Sequence, residues 1–318
     1  MDAAQMDIKL KPHDDRTNGW SAILPPRRPH PTLRRQVDAD WLIIGAGYAG
    51  LAAARRLAHH RPNDRIVVLE AGEAGDNASG RNSGFAIDVP HNVGSSVAEL
   101  EKAGNYKRLM KAGIASLDEI VKARNIQCDW SVKGKYHCAA APQLAETLLR
   151  HHAHELKSLG EPYEWLEQAA LAKRLGTSFF HAGIYTPGCI LLNPSALTRG
   201  LADSLPENVS VFENSAVTRL DFGTKIYAST AQGSVSARQL ILANNGSASQ
   251  LPGFERQMFN VASYGTLTRP LTPEQRARIG DVEEWGVTPA NAVSGATMRY
   301  TRDHRILIRQ QFDFTPTM

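Results

Sequence analysis

Hydrophobic and polar positions near the start of the chain predict a strand, a helix and a second strand. Ala39 to Ile44 is a short apolar run that predicts a strand. Leu51 to His60 is alanine-rich with arginines on one side, as in a helix, and Arg65 to Glu70 is a second apolar run. The order of these elements predicts a βαβ unit with two parallel strands.

Beyond this unit the pattern changes between helical and strand-like spacing. Leucine, isoleucine and alanine recur at helical spacing over Val93 to Ile126, which predicts an amphipathic helix. Trp130 to Ala140 and Gly183 to Leu192 place aromatic and apolar residues between turn formers, which favours strands. A further helix is expected over Pro194 to Leu205, with Asn193 as its cap.

The segment that follows predicts a small antiparallel meander that returns to a parallel core strand. Its expected strands are Val209 to Phe212, Ala216 to Phe222, Lys225 to Ser229 and Ser234 to Ala243. The first residues, up to about 38, are polar, and Leu24 to Pro31 is rich in proline, which lacks a backbone donor. We therefore expect an extended arm lying on the surface.

Composition and charge exclude several classes of protein. The 318 residues are 42% hydrophobic, which suits one large or two modest globular domains. The net charge of +4 comes from 36 basic and 32 acidic residues spread along the chain, so we expect no nucleic-acid partner. No apolar run approaches the roughly 20 residues that cross a bilayer, and the first residues lack the apolar part of a secretory signal. We expect a cytoplasmic protein without a membrane partner.

Cysteines and histidines give no indication of a metal site. Cys128, Cys138 and Cys189 are not spaced as in zinc or redox motifs and are expected to be free thiols in a reducing compartment. His151, His152 and His154 stand on a predicted helix without the four-residue spacing of a helical metal pair. We expect a solvated helix face there and no metal ion.

The motif with the clearest chemistry is a glycine-rich turn between the first strand and the first helix. Gly45 permits a tight turn, Gly47 lets the backbone approach a pyrophosphate, and Gly50 allows the helix to pack closely on the sheet. Backbone amides and the positive end of the helix favour bound phosphates. Three glycines that form an ordinary turn are the alternative, but the strand and helix around them favour a dinucleotide site.

The residues after this motif bear on the choice of cofactor. Glu70 ends the second strand about 20 residues after Gly50, where a carboxylate accepts hydrogen bonds from a ribose hydroxyl and disfavours NADP. FAD and NAD share this arrangement. Next comes a loop of small and hydrogen-bonding residues, Ala71 to Gly84, which can lie along an extended cofactor. The loop favours FAD.

Two segments resemble a known family. Ala39 to Glu70, and Ala78 to Gly84 with the sequence Ala-Ser-Gly-Arg-Asn-Ser-Gly, resemble FAD-dependent oxidoreductases related to D-amino-acid oxidase and glycine oxidase. The likeness is nearest to the gamma-glutamylputrescine oxidase branch. It implies that the second loop lies near the pyrophosphate and flavin ring, that Val217 meets the adenine, and that Ala243 to Gly246 is a second turn on the cofactor side. The expected FAD-binding residues are Gly45, Ala46, Gly47, Tyr48, Ala49, Gly50, Glu70, Ala71, Ser79, Gly80, Arg81, Asn82, Ser83, Val217, Ala243, Asn244 and Gly246.

The resemblance also implies a fold and a domain layout. We expect an α/β protein with a Rossmann-like FAD-binding domain and a discontinuous mixed α+β substrate domain. Residues 1–95, with the arm, and 190–255 are assigned to the FAD-binding domain. Residues 96–189 provide helices and substrate-domain strands, and residues 256–318 the rest of the substrate domain, which we expect to be incomplete.

The reaction that the resemblance implies is oxidation of a small amine or amino acid, for example one like gamma-glutamylputrescine. Hydride passes from the carbon beside a neutral amine to the flavin, the resulting imine is hydrolysed by water, and oxygen or another acceptor takes the electrons. No catalytic base can be named from the residues. Tyr264, Thr266 and Arg299 are candidates for the substrate side, with plain sheet structure as the alternative.

Two other functions stay open at this point: a flavin-binding protein with little or no turnover, and an NAD-dependent dehydrogenase. The first has a basis in the sequence, because the resemblance breaks off after the hairpin Arg299 to Gln311. The family continues with a glycine-rich turn and a helix that cover the flavin ring. We therefore expect weak FAD affinity and little turnover for this polypeptide alone.

Overall fold

The computed structural model describes residues 4–8, 16–90, 97–251, 254, 257–258, 260–291 and 295–315. The chain divides into two compact units that each combine separate stretches. The first unit is Met1–Arg81, Pro194–Ala262 and Asp313–Met318, and the second is Asn82–Asn193 and Ser263–Phe312. These boundaries differ from those of the expected domains, whose roles stay predictions.

The strands and helices follow one another along the whole chain. In chain order the strands are β1 (Ala4–Asp7), β2 (Gln36–Ile44), β3 (Ile66–Leu69), β4 (Phe85–Ala86), β5 (Ser131–Val132), β6 (Lys135–Ala139), β7 (Glu164–Glu167), β8 (Ala182–Thr186), β9 (Ile190–Leu191), β10 (Val209–Phe212), β11 (Arg219–Phe222), β12 (Ile226–Ser229), β13 (Ser234–Leu242), β14 (Asn260–Leu267), β15 (Trp285–Pro289), β16 (Thr297–Tyr300) and β17 (Ile306–Thr315). The α-helices are α1 (Gly19–Ala22), α2 (Tyr48–His60), α3 (Val97–Ala123), α4 (Pro142–Leu144), α5 (Arg150–Ser158), α6 (Gln168–Leu175), α7 (Pro194–Asp203) and α8 (Pro273–Ile279). A π-helical turn, Ala145–Leu149, joins α4 to α5, and a 3-10 turn, Asn245–Gln250, follows β13.

The first unit is built on a seven-stranded sheet in the order β1-β11-β12-β13-β2-β3-β10. Strands β13, β2, β3 and β10 run parallel, and Leu42, Ile43 and Val67 inside this part have no exposed surface. Parallel sheets have such continuous apolar strands because helices cover both faces. The α/β class and the predicted βαβ unit are confirmed.

The predicted antiparallel meander is confirmed for its last three strands. It is wrong for its first strand, Val209 to Phe212. Strands β11, β12 and β13 are antiparallel neighbours, and β13 then lies parallel to β2. Strand β10 instead pairs with β3 in parallel. It follows helix α7, and a strand reached through a helical crossover joins a sheet in parallel rather than through a hairpin.

The expectation of an arm on the surface is wrong at two core residues of the described part of residues 1–38, whereas no residue of Leu24 to Pro31 is buried. Leu33 has no exposed surface and belongs to the core cluster around Leu42 and Leu220, and Trp20 is 5% exposed. Strand β1 pairs with β11 at the edge of the sheet. Single apolar residues among prolines and charges form no periodic pattern, so their burial has no signal in the sequence.

The second unit is built mainly on another seven-stranded sheet, in the order β14-β17-β16-β15-β6-β8-β7. Strand β6 pairs in parallel with β15 and antiparallel with β8. Strands β4, β9 and β5 form a small separate sheet. The mixed α+β character expected for this part of the chain agrees with these pairings.

Helix α5 is only partly the solvated face that we expected. The His152 ring is buried, lies 4.8 Å from the His137 ring and has its Nδ1 3.2 Å from Glu155 Oε2. His151, which is more exposed, has its Nε2 3.1 Å from the other oxygen of Glu155. The expectation fails at His152 because this side of the helix faces the second sheet.

The three cysteine thiols lie in the interior of the protein. Cys128, Cys138 and Cys189 are free and buried, and burial raises the pKa of each, for Cys128 and Cys189 to about 12. Such thiols stay protonated and are poor nucleophiles.

Among the helices of the described ranges, none is long and apolar enough to cross a bilayer. Within those ranges no cluster of histidine, cysteine and acidic side chains is placed to hold a metal ion.

Candidate cofactor site

The glycine-rich turn lies between the end of β2 and the start of α2. Gly45 has a φ of +106°, and a Cβ there would lie 2.6 Å from the carbonyl oxygen of Ala243. The Gly45 amide donates to the Leu69 carbonyl at 2.8 Å. Only glycine adopts this backbone conformation without strain, so the turn holds β2, β3 and the end of β13 closely together.

Two further glycines permit close packing at the amino end of α2. A Cβ at Gly50 would lie 1.9 Å from the Gly45 carbonyl oxygen, and a Cβ at Gly47 would lie 2.8 Å from Ser79 Oγ. The amide of Tyr48, the first residue of α2, donates to the same Ser79 oxygen at 3.1 Å. The two glycines therefore let the Gly45 carbonyl and the Ser79 side chain approach the positive end of this 13-residue helix closely.

Glu70 is held rigidly beside this turn. Its Oε2 accepts from the Ala46 amide at 2.7 Å and its Oε1 from the Gly72 amide at 3.1 Å. The side chain is buried, and burial raises its pKa, while the hydrogen bonds from Ala46 and Gly72 act in the opposite direction. Each carboxylate oxygen has two acceptor positions, so Glu70 can still accept from a ligand.

A cavity of about 340 Å³ opens beside the turn and Glu70, entirely within the first unit. Ligand pockets in proteins have volumes of about 300–1,000 Å³. Nine residues that were predicted from the sequence line it: Gly45, Ala46, Gly47, Glu70, Ala71, Ser79, Val217, Ala243 and Asn244. The cavity thus brings together the turn, the acidic strand end and the two distant segments that the resemblance indicated.

Other predicted residues have different surroundings. Those that do not line the cavity are Tyr48, Ala49, Gly50, Gly80, Arg81, Asn82, Ser83 and Gly246. Gly80 packs on the Gly75 carbonyl, and Arg81 Nε donates to the Asp76 carbonyl at 2.5 Å. Asn82 and Ser83 belong to the second unit, where Asn82 Oδ1 accepts from the Gly84 amide at 2.9 Å. Contact of these eight residues with a cofactor stays a prediction.

Several lining residues were not predicted individually. They are Ile8, Ile44, Leu69, Glu73, Gly75, Asn77, Ala78, Ala216, Asn245, Ser247, Val261 and Ala262. Some of these lie in the loop after Glu70 or in the Asn-Gly turn, which were identified as segments. Ile8 had no such signal, because nothing in the sequence indicates that the edge strand β1 reaches this cavity.

The three candidates for the substrate side differ in burial. Arg299 is buried in the second unit, where its Nη1 donates to the carbonyls of Ser83 at 3.2 Å, Gly84 at 2.9 Å and Leu192 at 2.7 Å. Burial lowers its pKa to about 10. Tyr264 and Thr266 are exposed on β14. Through these contacts Arg299 joins two loop ends, and a function of the three residues on the substrate side stays a prediction.

The residues around the cavity fit an anionic dinucleotide. Glycines leave space where a Cβ would intrude, the helix end favours negative charge, and Glu70 offers an acceptor for hydroxyl groups. Apolar walls come from Ile44 and Val217. This combination suits the adenosine diphosphate part of FAD, with phosphates at the turn and ribose at the carboxylate.

Comparison with known proteins gives a consistent result. A family model described as FAD dependent oxidoreductase (DAO) matches residues 40–317. A probable oxidoreductase, OrdL of Haemophilus influenzae, is 28% identical over 253 residues, which cover 76% of this chain and 58% of that protein. Gamma-glutamylputrescine oxidoreductase of Escherichia coli is 28% identical over 222 residues, which cover 68% and 51%. The chain spans about half the length of the curated relatives it matches.

Solved structures share the fold. Glycine oxidase from Geobacillus kaustophilus superposes with a TM-score of 0.65 at 21% identity, over 89% of this chain and 73% of that one. L-proline dehydrogenase from P. horikoshii superposes with a TM-score of 0.63 at 15% identity, over 89% and 72%. At these identities the likeness concerns the fold alone, and it agrees with the Rossmann-like class expected from the sequence.

Proposed function

Because the chain belongs to the DAO family of FAD-dependent oxidoreductases, we propose that the cavity of its first unit binds the adenosine diphosphate part of FAD. The observation that supports this most directly is that the amino end of α2 and the buried Glu70 carboxylate border the same space. In dinucleotides bound to such folds the pyrophosphate lies at the helix end and the ribose at the acidic residue.

We propose further that the protein oxidises a small amine or amino acid. The chemistry that bound FAD supplies is acceptance of a hydride from the carbon that bears the amine. The substrate leaves as an imine that water hydrolyses, and oxygen or another acceptor removes the electrons. Support comes from the family match, from the name of the Escherichia coli relative, and from the Ala78 to Gly84 motif.

The chain's own residues would act by binding and orientation. The positive amino end of α2 would attract the phosphates, and Glu70, fixed by two backbone amides, would accept from ribose hydroxyls without needing to reorient. Ile44 and Val217 would provide apolar contacts for the base and exclude water from it. No side chain of the described residues is assigned as a catalytic base.

Replacement of Glu70 tests the cofactor site. We expect Glu70→Gln to weaken FAD binding by about 10- to 100-fold, because one acceptor is lost and an amide group then faces a backbone N–H. Titration of the apoprotein with FAD, followed by quenching of flavin fluorescence, measures this. Glu207→Gln, on an exposed site of the same unit, serves as the matched control. Equal affinities of the two variants would contradict the assignment of Glu70.

Anaerobic mixing tests the substrate class. We expect the yellow absorbance of the flavin to bleach with at least one of gamma-glutamylputrescine, sarcosine, glycine and D-amino acids, because amines donate the hydride. A hydroxy acid of similar size is the control and should leave the flavin oxidised. Bleaching by the hydroxy acid alone would overturn the amine proposal. A purified protein that binds NAD and lacks flavin absorbance would favour a dehydrogenase instead.

A further inference from the structure

We propose that residues 16–35 form a clamp that positions the loop Gly72 to Asp76 for cofactor binding. The inference rests on the proposed function of the cavity, which this loop lines through Glu73 and Gly75. The clamp precedes residues 40–317, which match the family model, so family membership does not assign it. It belongs to the first unit, as do the loop and all of the contacts described below.

One half of the clamp is the start of α1. Asn18 Nδ2 donates to the Gly75 carbonyl at 2.9 Å, while its Oδ1 caps α1 by accepting from the Trp20 amide at 3.1 Å. Ser21 Oγ donates to Asp76 Oδ1 at 2.5 Å. Asn18 is buried, so its hydrogen bond to the loop is protected from competing water. Two consecutive loop residues are thus held by this one short helix.

The other half of the clamp acts through the fully buried carboxylate of Glu213. One of its oxygens accepts from the Ala74 amide at 2.6 Å, and the other accepts from the His30 amide at 2.6 Å. Arg27 donates to Glu213 as well and neutralises its charge. A single buried anion therefore joins the loop to residues 27–30 of the clamp.

The loop lies between the cavity and the clamp and contacts both. Glu73 and Gly75 line the cavity, whereas Ala74 and Asp76 are held from behind by the clamp. Gly75 has a φ of +92°, and a Cβ there would lie 2.8 Å from the Ser195 carbonyl oxygen. Ordering an irregular loop costs backbone entropy, so a loop ordered before binding gives tighter binding.

Charge gives the clamp a second effect on the cofactor. Arg27 Nη2 lies 3.8 Å from Glu73 Oε2, in addition to its contact with Glu213. Without Arg27, the carboxylates of Glu73 and Glu213 would repel the negatively charged diphosphate of a bound dinucleotide. The clamp therefore both shapes the loop and reduces electrostatic repulsion at the phosphate site.

The test uses Asn18→Asp combined with Ser21→Ala. Aspartate keeps an oxygen that can cap α1 but cannot donate to the Gly75 carbonyl, and alanine removes the contact with Asp76. We expect the dissociation constants for FAD and for ADP to rise about tenfold in the apoprotein, because both ligands contain the part that meets the loop. Affinity for riboflavin, which lacks the whole adenosine diphosphate part, should not change.

Controls separate positioning from general stability. Ser21→Thr keeps the hydroxyl and should retain the parent's affinity for FAD. Ser21→Ala alone should lose less FAD affinity than the double variant, and the melting temperature of its apoprotein should not change. Arg238→Ala, which is exposed in the same unit, should bind like the parent. Unchanged FAD and ADP affinities in the double variant would overturn the clamp but leave the proposed function intact. A parent chain that binds neither ligand would overturn both.

Discussion

Gly47→Leu is expected to abolish binding of FAD when the protein is gel-filtered in buffer that contains FAD. A Cβ at this position would lie 2.8 Å from Ser79 Oγ, and the rest of the leucine would extend into the space where the diphosphate is proposed to lie. Loss of the phosphate contacts at the helix end corresponds to at least a 100-fold rise in the dissociation constant. Flavin absorbance per protein, measured after gel filtration, reports the loss directly.

The matched control for this variant is Gly113→Leu. Gly113 is an exposed glycine of α3, and nothing lies within 4 Å of a Cβ added there. Leucine has the higher helix propensity, so this variant should fold and should bind flavin as the parent does. Full flavin occupancy in Gly47→Leu would show that the diphosphate lies elsewhere.

Lys135→Met is expected to raise the free energy of unfolding at neutral pH by about 2–3 kcal/mol. Lys135 is fully buried on β6, and its Nζ has no hydrogen-bond partner among the described residues. Burial lowers its pKa from 10.5 to about 8, which corresponds to about 3 kcal/mol against the charged form. Methionine has a similar volume and no charge. Loss of the attraction to Asp88 reduces the gain somewhat.

The pH dependence of this gain has a definite sign. Between about pH 8 and 10.5 the unfolded chain keeps the Lys135 proton and the folded chain releases it, so the stability of the parent rises with pH. The advantage of Lys135→Met should therefore be largest below pH 8 and should vanish towards pH 10.5. Urea unfolding at several pH values measures it, with the exposed Lys173→Met as control. A destabilised Lys135→Met at pH 7 would show that Lys135 has a favourable partner.

Local patterns in the sequence were sufficient to predict the centre of the first unit. Strand β2, the glycine-rich turn, helix α2 and Glu70 are contiguous, so their spacing follows from the geometry of one βαβ unit. The segments of Val217 and Asn244 were found only through the family resemblance. Both line the same cavity, although about 170 residues separate Val217 from the turn in sequence and about 200 separate Asn244 from it.

Features that depend on distant partners could not be predicted. Leu33 and Trp20 are core residues within a polar, proline-rich segment, so composition indicated a surface arm. His152 on α5 and Lys135 on β6 are polar residues that are buried by the elements packed on them. A single charged residue in a strand pattern, such as Lys135, normally indicates the exposed face. The contribution of Ile8 to the cavity depends on pairing with β11.

Strand β2 acquires its two neighbours at very different times during synthesis. Strand β3 follows it closely, whereas β13, which pairs with β2 from Ser234↔Gln36 to Leu242↔Ile44, is translated roughly 200 residues later. At about 5–20 residues per second, one edge of this apolar strand stays without its partner for about 10–40 s. Unpaired strand edges are templates for aggregation. The nascent chain therefore has to protect β2 while the whole stretch Asn82–Asn193 of the second unit leaves the ribosome.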